Sequence, residues 1–233
     1  MPTIPPFNER NARGIEEAPG LLAERLERLR AAIEAAAKGR AVKLVAVSKF
    51  HSQTAVKAAL AAGQFSFGEN RVQEAKAKFM PLRAEESPVD LSLIGPLQTN
   101  KVHEAVALFD TIQTVDRPHL AEALSRAFER TSRRPRLYVE VNVGYEPQKA
   151  GLVPEALERF LGDCRDRWGM KIEGLMAIPP AGRPPGPFFR QVVALADRFL
   201  LPHRSIGMSG DFEEAIRAGA TEVRVGTALF GAR

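Results

Sequence analysis

The sequence predicts an α/β chain folded as a single (β/α)8, TIM-type barrel with an extra N-terminal helix. Three observations carry that prediction. Eight short β-rich runs follow one another, helical stretches separate them, and no internal segment is long or polar enough to divide the 233 residues into two domains. The main competitor, a doubly wound open sheet, calls for a G-x-G-x-x-G turn after the first strand. None is present, and a count of eight favours closure.

A Pro-rich leader over 1–19 precedes a barrel over 20–233. "APGLLAERLERLRAAIEAAAKG" opens the barrel as a helix, because Leu22, Leu26, Leu29 and Ile33 recur at helical spacing. The stripe is narrow and its charges are mixed, which suits packing on the domain better than lying on a membrane. The strand runs are "VKLVAVS", "FSFGE", "DLSLIG", "FDTIQTV", "RLYVEVNV", "KIEGLMAI", "RSIGM" and "EVRVGTAL". Between them lie helical runs such as "SQTAVKAALAAG", "RVQEAKAKF", "TNKVHEAVALF", "RPHLAEALSRAFER", "VPEALERFLGDC", "PFFRQVVALADRF" and "DFEEAIRAG". The longest Pro/Gly loop, "PPAGRPPGP", follows the sixth strand.

Composition narrows the function classes. The 33 basic residues are interspersed with 28 acidic ones, so the net charge of +5 makes no patch for nucleic acid. No run approaches about 18 consecutive apolar residues, and the N-terminus lacks a secretory apolar core. A cytoplasmic protein without a membrane partner is therefore expected. The single cysteine, Cys164, lies in a helical context and reads as inert. His51, His103, His119 and His203 show no metal-ligand spacing, so no metal is expected.

In such a barrel the strand ends and the loops after them share one face, where residues distant in sequence converge. Lysine is scarce, nine against 24 arginines, and Lys49 stands where the first strand ends. It shares the strand phase of Val45 and Val47; in strand five Tyr138, Glu140 and Asn142 share one face and Leu137, Val139, Val141 and Val143 the other. The apolar set of strand five belongs under the helices and the polar set inside. By analogy Lys49 is placed in the barrel mouth. There a partly desolvated amine suits Schiff-base chemistry with pyridoxal phosphate or an aldolase substrate; an ion-paired lysine at a strand end is the bland alternative. Glu69 and Glu140 are candidate interior acids.

The loops after strands seven and eight are the habitual phosphate site of this fold. "SIGMSGDFEEAI" offers Ser209, Gly210 and Asp211 before a helix, and "RVGTALFG" offers Gly226 and Thr227. Asp211 reads equally as a helix cap. Arg224 on strand eight needs an acceptor inside the barrel. A pyridine nitrogen could serve, and it would stay unprotonated against an arginine.

Taken together, "AVSK", "FGEN-x-VQE", "IGPLQTNK", "QKAG", "GLMAI", "SIGMSGDFEEAI" and "VRVGTALFGAR" closely resemble the pyridoxal phosphate homeostasis proteins, from about residue 20 to the C-terminus. The resemblance implies a single barrel like the N-terminal domain of alanine racemase. It implies pyridoxal 5'-phosphate held as a Schiff base on Lys49, Arg224 at the ring nitrogen, Asn70 beside the ring, and Met208, Ser209, Gly226 and Thr227 as the phosphate cradle. Lys101 and Lys149 occupy family lysine positions at the mouth and are assigned to holding or passing the cofactor. Two departures stand out: Ser92 where many members carry a histidine, and no proline after Lys49 in "SKFHSQT".

The expected function is intracellular homeostasis of the cofactor: storage, buffering or delivery, with apo enzymes as partners and a monomer or weak dimer as the assembly. An amino-acid racemase is the alternative. It generally needs a base on each face of the cofactor. With Arg233 directly after the eighth strand's motif and only two tyrosines, both near strand five, the sequence favours the carrier. A Schiff-base aldolase without cofactor leaves the family motifs unaccounted for.

Overall fold

Strand β1 (Lys43–Val47) runs parallel to β8 (Glu222–Val225), with Lys43 opposite Glu222 and Val45 opposite Arg224. This pairing closes a barrel of eight parallel strands in chain order, as the sequence predicts. The computed structural model describes residues 19–85 and 87–231. Between β1 and β8 lie β2 (Ser66–Glu69), β3 (Asp90–Leu93), β4 (Thr111–Val115), β5 (Arg136–Glu140), β6 (Ile172–Met176) and β7 (His203–Ser205).

Parallel neighbours cannot be joined by a tight turn, so a helix crosses over between each successive pair. These are α2 (Gln53–Ala61), α3 (Val72–Ala84), α4 (Val102–Leu108), α5 (Pro118–Glu129), α6 (Leu157–Asp166), α7 (Gly186–Arg198) and α8 (Phe212–Ala218), with α9 (Thr227–Phe230) after β8. The extra helix α1 (Pro19–Ala37) packs on α2, α8 and α9. Its predicted stripe of Leu22, Leu26, Leu29 and Ile33 is buried, at roughly 1.5–3 kcal/mol for each fully buried side chain. Of the expected leader, residues 1–18 lie outside the described residues. No described helix is long and apolar enough to cross a membrane.

Two cores result from strand alternation. Ala46, Phe67, Leu91, Ile112, Leu137 and Val139 pack outward against the helices. Buried Val45, Tyr138 and Met176 stand apart from that layer, inside the barrel. Cys164 is buried on α6 at the outer layer, and burial pushes its thiol up to about 12, which suppresses the reactive thiolate.

Candidate functional site

The chain leaves β1 through a tight turn in which the His51 N–H donates to the Ser48 carbonyl at 3.0 Å, so Lys49 and Phe50 are its two central residues. Lys49 is half-buried. Phe50 has φ +65°, a conformation that costs a non-glycine residue on the order of 1–3 kcal/mol. The Ser48 hydroxyl donates to Glu69 at 2.7 Å, Lys78 Nζ donates to the Ser48 carbonyl at 2.7 Å, and the Phe50 N–H donates to Glu74 at 2.5 Å. His51 stacks on Phe230 of α9, with ring centroids 4.7 Å apart.

On the opposite side of the β1–β8 seam, Arg224 is buried in the barrel, and Nη1 donates to the Ser205 carbonyl at 2.5 Å and its hydroxyl at 2.8 Å. Nη2 donates to the Ala177 carbonyl at 3.0 Å. A guanidinium has five N–H donors, so these bonds fix its plane without using all of them. Burial lowers its pKa to about 10, against the pull of Glu140 and Glu222, and it remains a cation at neutral pH. Ser205 Oγ in turn donates to Gln113 at 2.6 Å, Gln113 donates to Glu222 at 3.0 Å, and the Tyr138 hydroxyl donates to Glu222 at 2.5 Å. A continuous polar chain thus links the middle of the barrel to Arg224.

The turn after β7 forms because Gly207, at φ +94°, takes a left-handed conformation where a Cβ would lie 2.5 Å from that of Ala215. Asp211 occupies the N-cap position of α8 without making a side-chain cap bond. It accepts the Met208 N–H at 2.6 Å instead, so one amide of the expected cradle is already committed. Among the described residues, the N–H groups of Ser209 and Gly210 make no backbone hydrogen bond. The Ala228 N–H reaches Ser209 Oγ at 3.5 Å, which brings the turns after β7 and β8 together. A Cβ on Gly226 would meet the Val47 carbonyl at 3.2 Å, so the chain passes β1 closely at this point. These turns offer amides and hydroxyls suited to an anion, next to a buried cation.

The alanine racemase N-terminal domain family matches residues 22–233. The pyridoxal phosphate homeostasis protein of Pseudomonas aeruginosa is 41% identical over 214 residues, covering 88% of this chain and 91% of its own. That of Aquifex aeolicus is 37% identical over 218 residues, covering 89% and 95%. The chain belongs to the pyridoxal phosphate homeostasis protein family. Among solved structures, PipY of Synechococcus elongatus with PLP bound superposes with a TM-score of 0.80 at 39% identity, covering 90% of this chain and all of PipY. Alanine racemase from Streptomyces coelicolor, at 23% identity and a TM-score of 0.71 over 92% of this chain and 59% of its own, shares the fold.

Within this member of the family the two candidate interior acids part company. Glu140 lies on the inward phase of β5 with Tyr138. Its Oε2 is buried without a hydrogen-bond partner among the described residues, and burial, then the Asp116 carboxylate, raises its pKa to about 7 against the pull of Arg224. Glu69 is not an interior acid. The space a Cβ on Gly68 would need is taken by Val45 and Ile94, so Gly68 faces inward and Glu69 faces α3, where Lys78 bonds it at 2.7 Å.

Glu140 sets a pH dependence whose sign follows from its raised value. Between about 4.5 and about 7 the folded chain keeps a proton that the unfolded chain releases, so this group's contribution to stability falls as pH rises through that window. Glu140→Gln is expected to stabilise the cofactor-free protein at pH 8, by on the order of 1–2 kcal/mol after allowance for partial exposure, and to leave it nearly unchanged at pH 4.5. Thermal melts at the two pH values check this; equal gains at both would show that Glu140 is not the titrating group.

The remaining site residues are spread around the mouth. Asn70 follows β2, and its backbone lies so close to the turn after β3 that a Cβ on Gly95 would sit 2.4 Å from the Asn70 carbonyl oxygen. Lys101 pairs with Glu104 at 2.9 Å, while Lys149 pairs with Glu146 at 2.5 Å and donates to the Pro179 carbonyl at 3.2 Å. Ser92 is buried, and its hydroxyl has no hydrogen-bond partner among the described residues. Sequence reasoning missed Gln113, Ser205 and Glu222. The polar inward phase of "FDTIQTV" marks Gln113, but no local pattern reveals that it bonds a residue 109 positions away.

Proposed function

We propose that the chain binds pyridoxal 5'-phosphate at the barrel mouth, holds it as a Schiff base on Lys49, and serves its intracellular homeostasis as a carrier rather than a catalyst. The observation that carries this reading is the overlap with PipY, whose solved structure holds PLP and spans the same barrel. The residues present fit the group. Ser209, Gly210, Gly226 and Thr227 supply the turns for its phosphate, with the Met208 backbone completing the loop, and Arg224 keeps donors for the ring nitrogen beyond its three protein bonds. Asn70 flanks the ring.

When bound, the cofactor supplies an aldehyde and a pyridine ring. Arg224, charged at neutral pH, donates to the ring nitrogen and leaves it unprotonated, which makes the ring a weak electron sink. Such a site retains its ligand without activating it for carbanion chemistry. On this reading the protein works in the cytoplasm as a monomer or weak dimer. Lys101 and Lys149 guide the cofactor out to apo enzymes. One experiment tests both halves of the proposal. Cofactor-loaded protein mixed with a cofactor-dependent apo enzyme is expected to reactivate it faster than free release allows, while L-alanine in the same buffer keeps its configuration. Reactivation limited by free release removes direct delivery, and sustained conversion to D-alanine overturns the carrier reading.

A further inference from the structure

Lys78 is a buried lysine outside the barrel lumen, on the inner face of α3. All three donors of its ammonium are used: on the Ser48 carbonyl at 2.7 Å, on Glu69 at 2.7 Å and on Glu74 at 3.1 Å. Both carboxylates reach back to the turn that carries Lys49, Glu69 accepting the Ser48 hydroxyl and Glu74 accepting the Phe50 N–H. Burying one ammonium and two carboxylates is a poor way to gain stability, since desolvation offsets most of the attraction. It is an effective way to fix geometry. Here the geometry includes a phenylalanine in a left-handed conformation, at the turn position where glycine is the usual residue.

We infer that Glu69, Glu74 and Lys78 are positioning residues for Lys49: they clamp residues 48 and 50, on either side of it, and hold the strained turn that presents its amine to the barrel mouth. This inference rests on the reading that Lys49 carries the cofactor. Lys78 anchors the carbonyl before Lys49, and Glu74 anchors the amide after it. Without the Glu74 acceptor, Phe50 loses the bond that opposes its unfavourable φ, and the turn relaxes toward conformers that aim Lys49 elsewhere. A displacement of about 1 Å at a reacting group can cost on the order of 100-fold in rate.

The test uses Glu74→Ala, which removes the acceptor, and Glu74→Gln, which returns a neutral acceptor of the same length. Lys57→Met, which breaks an exposed ion pair to Glu85 remote from the turn, is the control. Each cofactor-free protein is mixed with pyridoxal phosphate, the growth of the visible band is timed, and borohydride-trapped product is mapped by mass spectrometry. Glu74→Ala is expected to react on the order of 10-fold more slowly, with Glu74→Gln restoring most of the rate and Lys57→Met matching the parent. A lowered melting temperature with parental rates in both Glu74 variants overturns the inference, because the cluster is then only structural. Hydrogen exchange at the Phe50 amide of the unmodified protein is an independent check should Glu74→Ala fail to fold: slow exchange supports the clamp and unprotected exchange overturns it. Trapping of the parent at a lysine other than Lys49 would instead defeat the underlying assignment.

Discussion

Lys49→Ala is expected to abolish the borohydride-stable adduct and weaken pyridoxal phosphate binding by on the order of 100-fold, about 3 kcal/mol, since only the phosphate and ring contacts remain. The neighbouring lysines do not replace it. Lys78 is buried and its three donors are committed, Lys101 is paired with Glu104, and Lys149 is held between Glu146 and the Pro179 carbonyl. Absorbance titration measures the affinity, and mass spectrometry of the reduced protein locates any adduct. A variant that still forms a stoichiometric adduct would move the Schiff base to another lysine.

Arg224→Met carries the second large effect, on stability. Methionine occupies a comparable volume but offers no donor, so the Ala177 carbonyl loses the Arg224 donor and the Ser205 carbonyl is left with the Ala177 N–H at 3.3 Å. Glu222, buried with Tyr138 and Gln113, loses the attraction of the Arg224 charge. Removing one side of a buried charged network typically costs about 3–5 kcal/mol. At this chain length that corresponds to a fall in melting temperature on the order of 10 °C. Melts of the cofactor-free protein measure it, and Arg224→Lys, which keeps the charge but not the planar fork, is expected to fall between the two. An unchanged melting temperature for Arg224→Met would mean that the chain from Tyr138 to Arg224 contributes little to holding the barrel closed.

The sequence by itself determined the eight strands, their chain order, the helix between each pair and the covering helix α1, because those features depend on local periodicity and on turn residues. It also placed Lys49, Asn70 and the turns at 208–211 and 226–227 at strand ends, which the parallel topology gathers on one face, and Arg224 on strand eight inside the barrel. Which side of each strand is the lumen was a different matter. Alternation separates two faces, and in β5 the polar and apolar sets made the choice plain. In β2 it did not: Glu69 and Glu140 look alike as strand carboxylates, and only the packing of Val45 and Ile94 over Gly68 turned Glu69 outward to Lys78. The Gln113, Ser205 and Glu222 chain and the Lys78 clamp were decided only by tertiary structure. Apart from Glu74 and Lys78, four residues apart on one helix, their partners lie 9 to 109 residues apart, and closure of the barrel, not any local preference of the backbone, sets those distances.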